Sequence, residues 1–438
     1  MGGAGPAGRG PCPQLTTRRL VAAAVFLLVG ADLTRQSRNA PLHVDEPRML
    51  NRGFMAGRLY RDYLRTGSVS SEWLGEAWQA RKPPLGNVIV GLGLWLGRAE
   101  PPAAPYEYDW LHDYAWNAAR GQVPSAEVLR AGRRLVPWLS AAAAAALFLV
   151  AAGVGGIVGG LVAVAVFHHN PIVRLYGPRA LADMPMMAFS LWSLWYLARR
   201  VAPAWDAHRA SLLTRCAALG LLVGLATATK QNGALMACVA LVTFGIWGAG
   251  SASRLGGDAV ARAILAATVV AAVSYGLFVL VNPVLHPSPL GRTLAQIEAW
   301  NLKFAGHWKA RPEFALRTLA ARTRAVARVI AGNAFGTLGY PYVTAFLVVA
   351  GAVTLALERR PPPGERSLGT IVLIWSAVTI AVVTAWIPLD WDRYYLPVIA
   401  VMAVLVGALG RFVSWPGRLY APRDPGTRMS HEARRSVR

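Results

Sequence analysis

The stretch RRLVAAAVFLLVGADL, residues 18–33, sets two arginines before an almost unbroken run of hydrocarbon. A helix rises 1.5 Å per residue, so about 20 mostly apolar residues cross a hydrocarbon layer about 30 Å thick. Widened to 17–35, this run has that length, and runs of similar character recur at approximately 134–153, 155–172, 184–200, 211–229, 232–250, 261–281, 337–357, 368–387 and 394–413. The chain therefore reads as an all-α polytopic membrane protein with about 10 transmembrane helices. It would have 11 if the shorter PLGNVIVGLGLWLG, residues 84–97, also crossed. At roughly 21 Å that segment is too short, and it is assigned as a juxtamembrane or re-entrant helix.

Composition supports this class. Of 438 residues, 55% are hydrophobic and 15% charged, where a soluble domain carries roughly 25% charged residues. The formal net charge of +23 does not signal nucleic acid, because the arginines fall in short groups between apolar runs and form no continuous basic face. Cys12, Cys216 and Cys238 make neither a disulfide framework nor a CxxC site. Residues 1–16 read as a disordered tail, and the lack of an A-x-A site makes the first run an uncleaved signal anchor.

Charge sets the expected orientation. With the N-terminus cytoplasmic and 84–97 not crossing, the loops holding Arg199, Arg200 and Arg209, then Arg254 and Arg262, then Arg359, Arg360 and Arg366 all lie inside. The basic tail 414–438 joins them there, as the positive-inside rule requires. Two long outer loops remain, 36–133 and 282–336. In the first, NRGFMAGRLYRDYLRTG, residues 51–67, reads as an amphipathic interfacial helix.

On this topology the out-of-place polar residues share the outer face. They are Asp45 and Glu46 in HVDEP (43–47), Lys82 in RKPPLG (81–86), Asp183 in YGPRALADMPMMAF (176–189) and Lys230 in GLATATKQNGAL (224–235). His286 in NPVLHPSP (282–289) and Asp390, Asp392 and Arg393 in LDWDRYYLP (389–397) complete the group. Ionisable groups at the end of a span are costly when they face lipid, and independent accidents would scatter over both faces. These residues should surround a polar cavity that opens outward. A carboxylate at its rim can take a proton from an attacking hydroxyl, and nearby lysine and arginine can hold a departing phosphate. A lipid-linked phosphate suits a site where bilayer meets water.

The set HVDEP, RKPPLG, RALADMP (179–185), GLATATKQNG (224–233) and RYYLP (393–397), in that order across most of 17–413, resembles the GT-C superfamily of polytopic glycosyltransferases. It is most similar to the family 39 branch of protein O-mannosyltransferases and lipid A aminoarabinose transferase. The resemblance implies a catalytic transmembrane domain over 17–413. That domain would transfer a hexosyl or pentosyl unit from a polyprenyl-phosphate donor to a lipid, glycan or protein hydroxyl, with inversion, at the outer face of a bacterial inner membrane.

By the same resemblance Asp45 is the catalytic base, Lys82 contacts the donor phosphate, Asp183 orients donor or acceptor, and Lys230 lines the cavity. Glu46 is left as either a metal ligand or a group that positions Asp45. No cofactor is implied, since a monophosphate donor does not require the divalent ion used with diphosphate sugars. His286 and Arg393 are added to the phosphate contacts by position and chemistry. Two other classes compete: a flippase of lipid-linked sugars, which should show duplicated halves with interrupted helices at midplane, and a non-catalytic membrane scaffold, in which Asp45 would be dispensable.

Overall fold

A computed structural model describes residues 13–70, 83–332, 341–358 and 367–413. Lys82, the arginines at 359, 360 and 366, and the tail 414–438 lie outside these described residues. Among the described residues the chain is almost wholly helical, and the only β pairing is one isolated bridge between Ala315 and Leu389. Among the described residues, seven helices are long and apolar enough to cross a membrane.

The apolar runs become helices because a chain in hydrocarbon must satisfy its own backbone hydrogen bonds. Helix α1 covers Pro13–Asn39; it begins inside the stretch read as disordered tail, so residues 13–16 are helical. The first long loop holds α2 (Glu46–Thr66), α3 (Leu85–Leu96), α4 (Tyr114–Ala119) and α5 (Ala126–Arg133). With 12 residues, α3 reaches only about 18 Å.

Next comes α6, Val136–His169, two helical stretches joined across a kink at Gly156, where φ is 73° and ψ −179°. Only glycine adopts such a conformation readily. The chain doubles back there, since a Cβ placed at Gly160 would meet Phe148 and Ala152. The two stretches on either side of Gly156 correspond to the two separate runs read from the sequence.

There follow α7 (Pro171–Tyr176), α8 (Asp183–Tyr196), α9 (Arg209–Thr229), α10 (Leu235–Leu255) and α11 (Gly257–Leu280). The second long loop is largely helical, with α12 (Pro289–Ala310) and α13 (Leu319–Gly332). The end of the chain supplies α14 (Pro341–Ala356), α15 (Leu368–Trp386), α16 (Leu396–Ala408) and the short α17 (Gly410–Val413). Two runs expected to span form helices of only 14 residues, α8, and 16 residues, α14. A π turn at Leu197–Val201 prolongs the first.

The core lies where α16, buried along its whole length, packs against α6, α14 and α15. Lipid removes most of the hydrophobic drive between helices, so close backbone approach through small residues takes its place. A Cβ at Gly155 or Gly159 would collide with the carbonyl of Gly407. Replacing Gly407 with leucine should therefore separate α16 from α6 and destabilise the protein by about 1–3 kcal/mol or more, read as a lower melting midpoint in detergent. Gly245→Leu on α10, where nothing lies within 4 Å, should leave the midpoint unchanged.

Candidate active site

The turn before α2 divides the acidic pair. Asp45 precedes the helix with φ −89° and ψ −15°, and its side chain does not cap the helix. Its amide donates to His43 Nδ1 at 3.1 Å, and its carbonyl accepts from the Met49 amide at 3.1 Å. The backbone is thereby held while the carboxylate points elsewhere, to Arg393 Nη1 at 2.5 Å. Burial lowers the His43 pKa below the usual imidazole range, which favours the neutral ring that this accepting nitrogen requires.

Glu46 faces the opposite way and is completely buried. Arg133 donates Nε to its Oε1 at 2.7 Å and Nη2 to its Oε2 at 2.6 Å. The amides of Ala180 and His43 donate to the same two oxygens at 2.8 and 2.9 Å. Arg133 also donates to the carbonyls of Ser37 and Ala40, both at 2.8 Å, and of Pro41 at 3.2 Å. This lattice ties the end of α1, the start of α2, the end of α5 and the loop before α8. The reading of Glu46 as a catalytic group or metal ligand is corrected: both of its oxygens are taken by a bidentate arginine, and it does not line the cavity.

The cavity itself, about 300 Å³ in volume, lies among α2, α8, α9, α10, α12, α15 and the turn before α16. Asp45, Asp183, Lys230 and Arg393 all line it, so four of the residues picked from distant motifs do meet. Asp183 opens α8, is 4% exposed and is ion-paired with the Lys230 ammonium. Lys230 is extended, with φ −157° and ψ 138°, between the end of α9 and a 3₁₀ turn. That break in helix lets its side chain reach Asp183.

Arg393 is fixed from the second long loop. The Pro388 carbonyl accepts from Trp308 Nε1 at 2.8 Å and from the Leu316 amide at 3.0 Å, and the Asp390 amide donates to the Phe314 carbonyl at 2.9 Å. Asp390 accepts from Arg328 at 2.9 Å and from Tyr395 Oη at 2.6 Å. The Arg393 guanidinium lies 4.7 Å from the centre of the Trp391 ring, within cation–π range.

His286 is the second correction. Its Nε2 lies 3.0 Å from the Val279 carbonyl and its Nδ1 2.8 Å from Tyr63 Oη. A carbonyl only accepts, so Nε2 carries the proton and Nδ1 accepts from the phenol. The ring joins α2 to the end of α11 and does not line the cavity.

The cavity also recruits residues that sequence motifs did not assign to a site. Arg48 and Arg52 come from α2, and Trp300, Lys303, Phe304 and His307 from α12. The last four recur at i, i+3, i+4 and i+7, one face of a helix; that periodicity was the available signal. Burial, then repulsion from Arg52 and Arg393, brings the Lys303 pKa down to about 8. Burial and the charge of Lys303 also lower His307. Among the described residues no group of three or more His, Cys, Asp or Glu gathers to hold a metal ion.

No protein-family model matches the chain, and no curated protein matches it by sequence. Among solved structures it is similar to ArnT from Cupriavidus metallidurans in the apo state, with TM-score 0.50 and 15% identity over 92% of this chain and 62% of that one. The fold is of the GT-C type.

The same ArnT bound to undecaprenyl phosphate aligns with TM-score 0.49 and 15% identity over 90% of this chain and 59% of that one. The archaeal oligosaccharyltransferase AglB from Archaeoglobus fulgidus, in complex with an inhibitory peptide and a dolichol phosphate, gives TM-score 0.48 and 13% identity over 89% and 50%. The chain thus spans about three-fifths of the length of the ArnT structures.

The division between Asp45 and Glu46 has a direct consequence. Glu46→Ala leaves the Arg133 charge buried and unpaired, which costs about 3–5 kcal/mol, so its folded yield and melting midpoint should fall well below those of Asp45→Asn. Equal midpoints for the two variants would contradict the assignment.

Proposed function

We propose that this chain is a membrane glycosyltransferase that moves a sugar from a polyprenyl-phosphate donor to a lipid, glycan or protein hydroxyl. The reaction takes place at the outer face of a bacterial inner membrane, with no obligatory metal or other cofactor. The observation that carries this reading is the meeting, in one cavity on a GT-C fold, of the Asp45 carboxylate with Arg48, Arg52, Lys230, Lys303 and Arg393. ArnT, described as binding undecaprenyl phosphate, lends the donor class.

In the proposed step the acceptor oxygen attacks the anomeric carbon from the face opposite the phosphate. The new carbon–oxygen bond forms as the carbon–oxygen bond to phosphate breaks, and the phosphate leaves with the electron pair. Asp45 takes the hydroxyl proton as general base. Arg393 has five N–H donors, enough to keep Asp45 oriented while it also meets charge that develops on the phosphate. Asp183, neutralised by Lys230, acts as a fixed acceptor for sugar or acceptor hydroxyls, and Trp300, Phe304 and Trp391 supply flat apolar walls.

The test uses membranes supplied with radiolabelled polyprenyl-phosphate sugars. Asp45→Asn keeps the size of the side chain but removes the base, and transfer should fall by about 10²–10⁴-fold with the protein level unchanged. Undiminished transfer by that variant would overturn the assignment.

A further inference from the structure

A second cavity, about 440 Å³ in volume, shares no lining residue with the candidate active site. Its size is that of a small-ligand pocket. It lies where the end of α1 meets α7 and the start of the loop to α8, and Arg35, Arg174 and Arg179 all line it. That loop divides the two cavities: Pro178 and Arg179 face this one, Leu181, Ala182 and Asp183 the other. Among the described residues no carboxylate lines the second cavity, whose uncharged polar side chains are Gln36 and Asn39. It is a cationic pocket without a counter-charge in its own wall.

Arg179 concentrates the excess. It is only 6% exposed, and among the described residues no carboxylate forms an ion pair with it. Its Nε donates to the Pro41 carbonyl at 3.2 Å and its Nη1 to the Leu175 carbonyl; carbonyls satisfy these donors but do not cancel the charge. Burial lowers its pKa, Glu46 opposes that shift and Arg133 adds to it, and Glu46 already receives both prongs of Arg133. Arg174, exposed on α7, has no ion pair among the described residues either. Arg35 pairs with Asp32 at 3.3 Å, but that carboxylate also accepts from Gln36 and lies 2.9 Å from His168 Nε2. A buried guanidinium beside two others is unfavourable by itself and is stabilised by an anion placed among them. The planar forks of arginine match phosphate oxygens.

We propose that this second cavity binds the phosphate of an anionic phospholipid from the surrounding membrane, held by Arg179 and Arg174 with Arg35 at the rim. The face of α1 favours a lipid over a free anion. Leu20, Leu27 and Leu28 are exposed along it, and Leu28, seven residues before Arg35, falls on the same side of the helix. An acyl chain lying along that face brings its headgroup to the arginines, and basic pockets between spans are suited to anionic headgroups. The proposal goes beyond the transferase reading and does not require it. A lipid held here braces the loop between the cavities, because Arg179 precedes Asp183 by four residues and shares the Pro41 carbonyl with Arg133.

The experiment titrates the full chain in detergent with dioleoyl phosphatidylglycerol and, in parallel, with dioleoyl phosphatidylcholine, dioleoylglycerol and inorganic phosphate. Native mass spectrometry gives the dissociation constant of the first lipid bound, and hydrogen exchange locates it. Phosphatidylglycerol should bind roughly tenfold more tightly than phosphatidylcholine and slow exchange in segments 35–41 and 174–179, which dioleoylglycerol and inorganic phosphate should not do. Arg179→Met should weaken the first phosphatidylglycerol roughly 10- to 100-fold. Arg174→Met, at an exposed position, should weaken it roughly 3- to 10-fold. Arg61→Met, exposed on α2 and outside both cavities, should behave as wild type.

Unchanged affinity in both arginine variants would overturn the proposal, as would equal affinity for phosphatidylcholine or dioleoylglycerol, or slowed exchange confined to other segments. Protection of these segments by inorganic phosphate alone would make the ligand a free anion and overturn it too. If Arg179→Met does not fold, Arg174→Met and the exchange map decide the matter. Arginine-dependent lipid binding in a chain that transfers no sugar would remove the transferase reading and leave this one standing.

Discussion

The buried ion pair between Glu46 and Arg133 is the constraint on which the rest of the site depends. Two opposite charges withdrawn from solvent are tolerable only when geometry and hydrogen bonding are nearly complete. Here the carboxylate receives both prongs of the guanidinium and two backbone amides. The guanidinium spends its remaining donors on three carbonyls at the end of α1. The turn from α1 into α2 has little freedom left, and Asp45 inherits its direction from it. The acidic pair is thus one structural residue and one available carboxylate, made different by which side of a single turn each occupies.

Arg393 meets Asp45 from 348 residues away, and the contact depends on the second long loop. The backbone bonds from Phe314 and Leu316 to residues 388–390, with Trp308 and Arg328 beside them, hold the turn that carries Arg393. The same loop presents α12, whose inner face completes the cavity while Leu290, Leu294 and Ile297 remain exposed on another. An amphipathic helix of this kind lies naturally at a membrane interface. It places cationic and aromatic groups where a lipid headgroup would sit.

Much of this was legible before any coordinates. Apolar runs of bilayer length specify helices because hydrocarbon offers the backbone no other partners, and the two runs at 134–153 and 155–172 proved to be a hairpin hinged at Gly156. Asp45, Asp183, Lys230 and Arg393 could be grouped because each abuts the same end of a run, and parity of crossings brings such ends together.

What was not legible depended on contacts remote in sequence. Nothing local separates Glu46 from Asp45; Arg133, 87 positions on, decides it. His286 beside its prolines could not announce that Tyr63, 223 residues distant, takes up its ring. His307 was passed over because its segment was read as loop, and Lys303 was noted only as one of that loop's basic residues, although the aromatic and cationic stripe has helical spacing.

The central claim is that residues from distant motifs form one cavity that holds a lipid phosphate beside a carboxylate base. Its most direct test is a structure of the full chain in lipid nanodiscs with undecaprenyl monophosphate bound. The account predicts phosphate density inside this cavity, on the face shared with the Asp45 carboxylate and Arg393. Phosphate density on the far side of the bundle, or a bound lipid whose headgroup leaves this cavity empty, would contradict it.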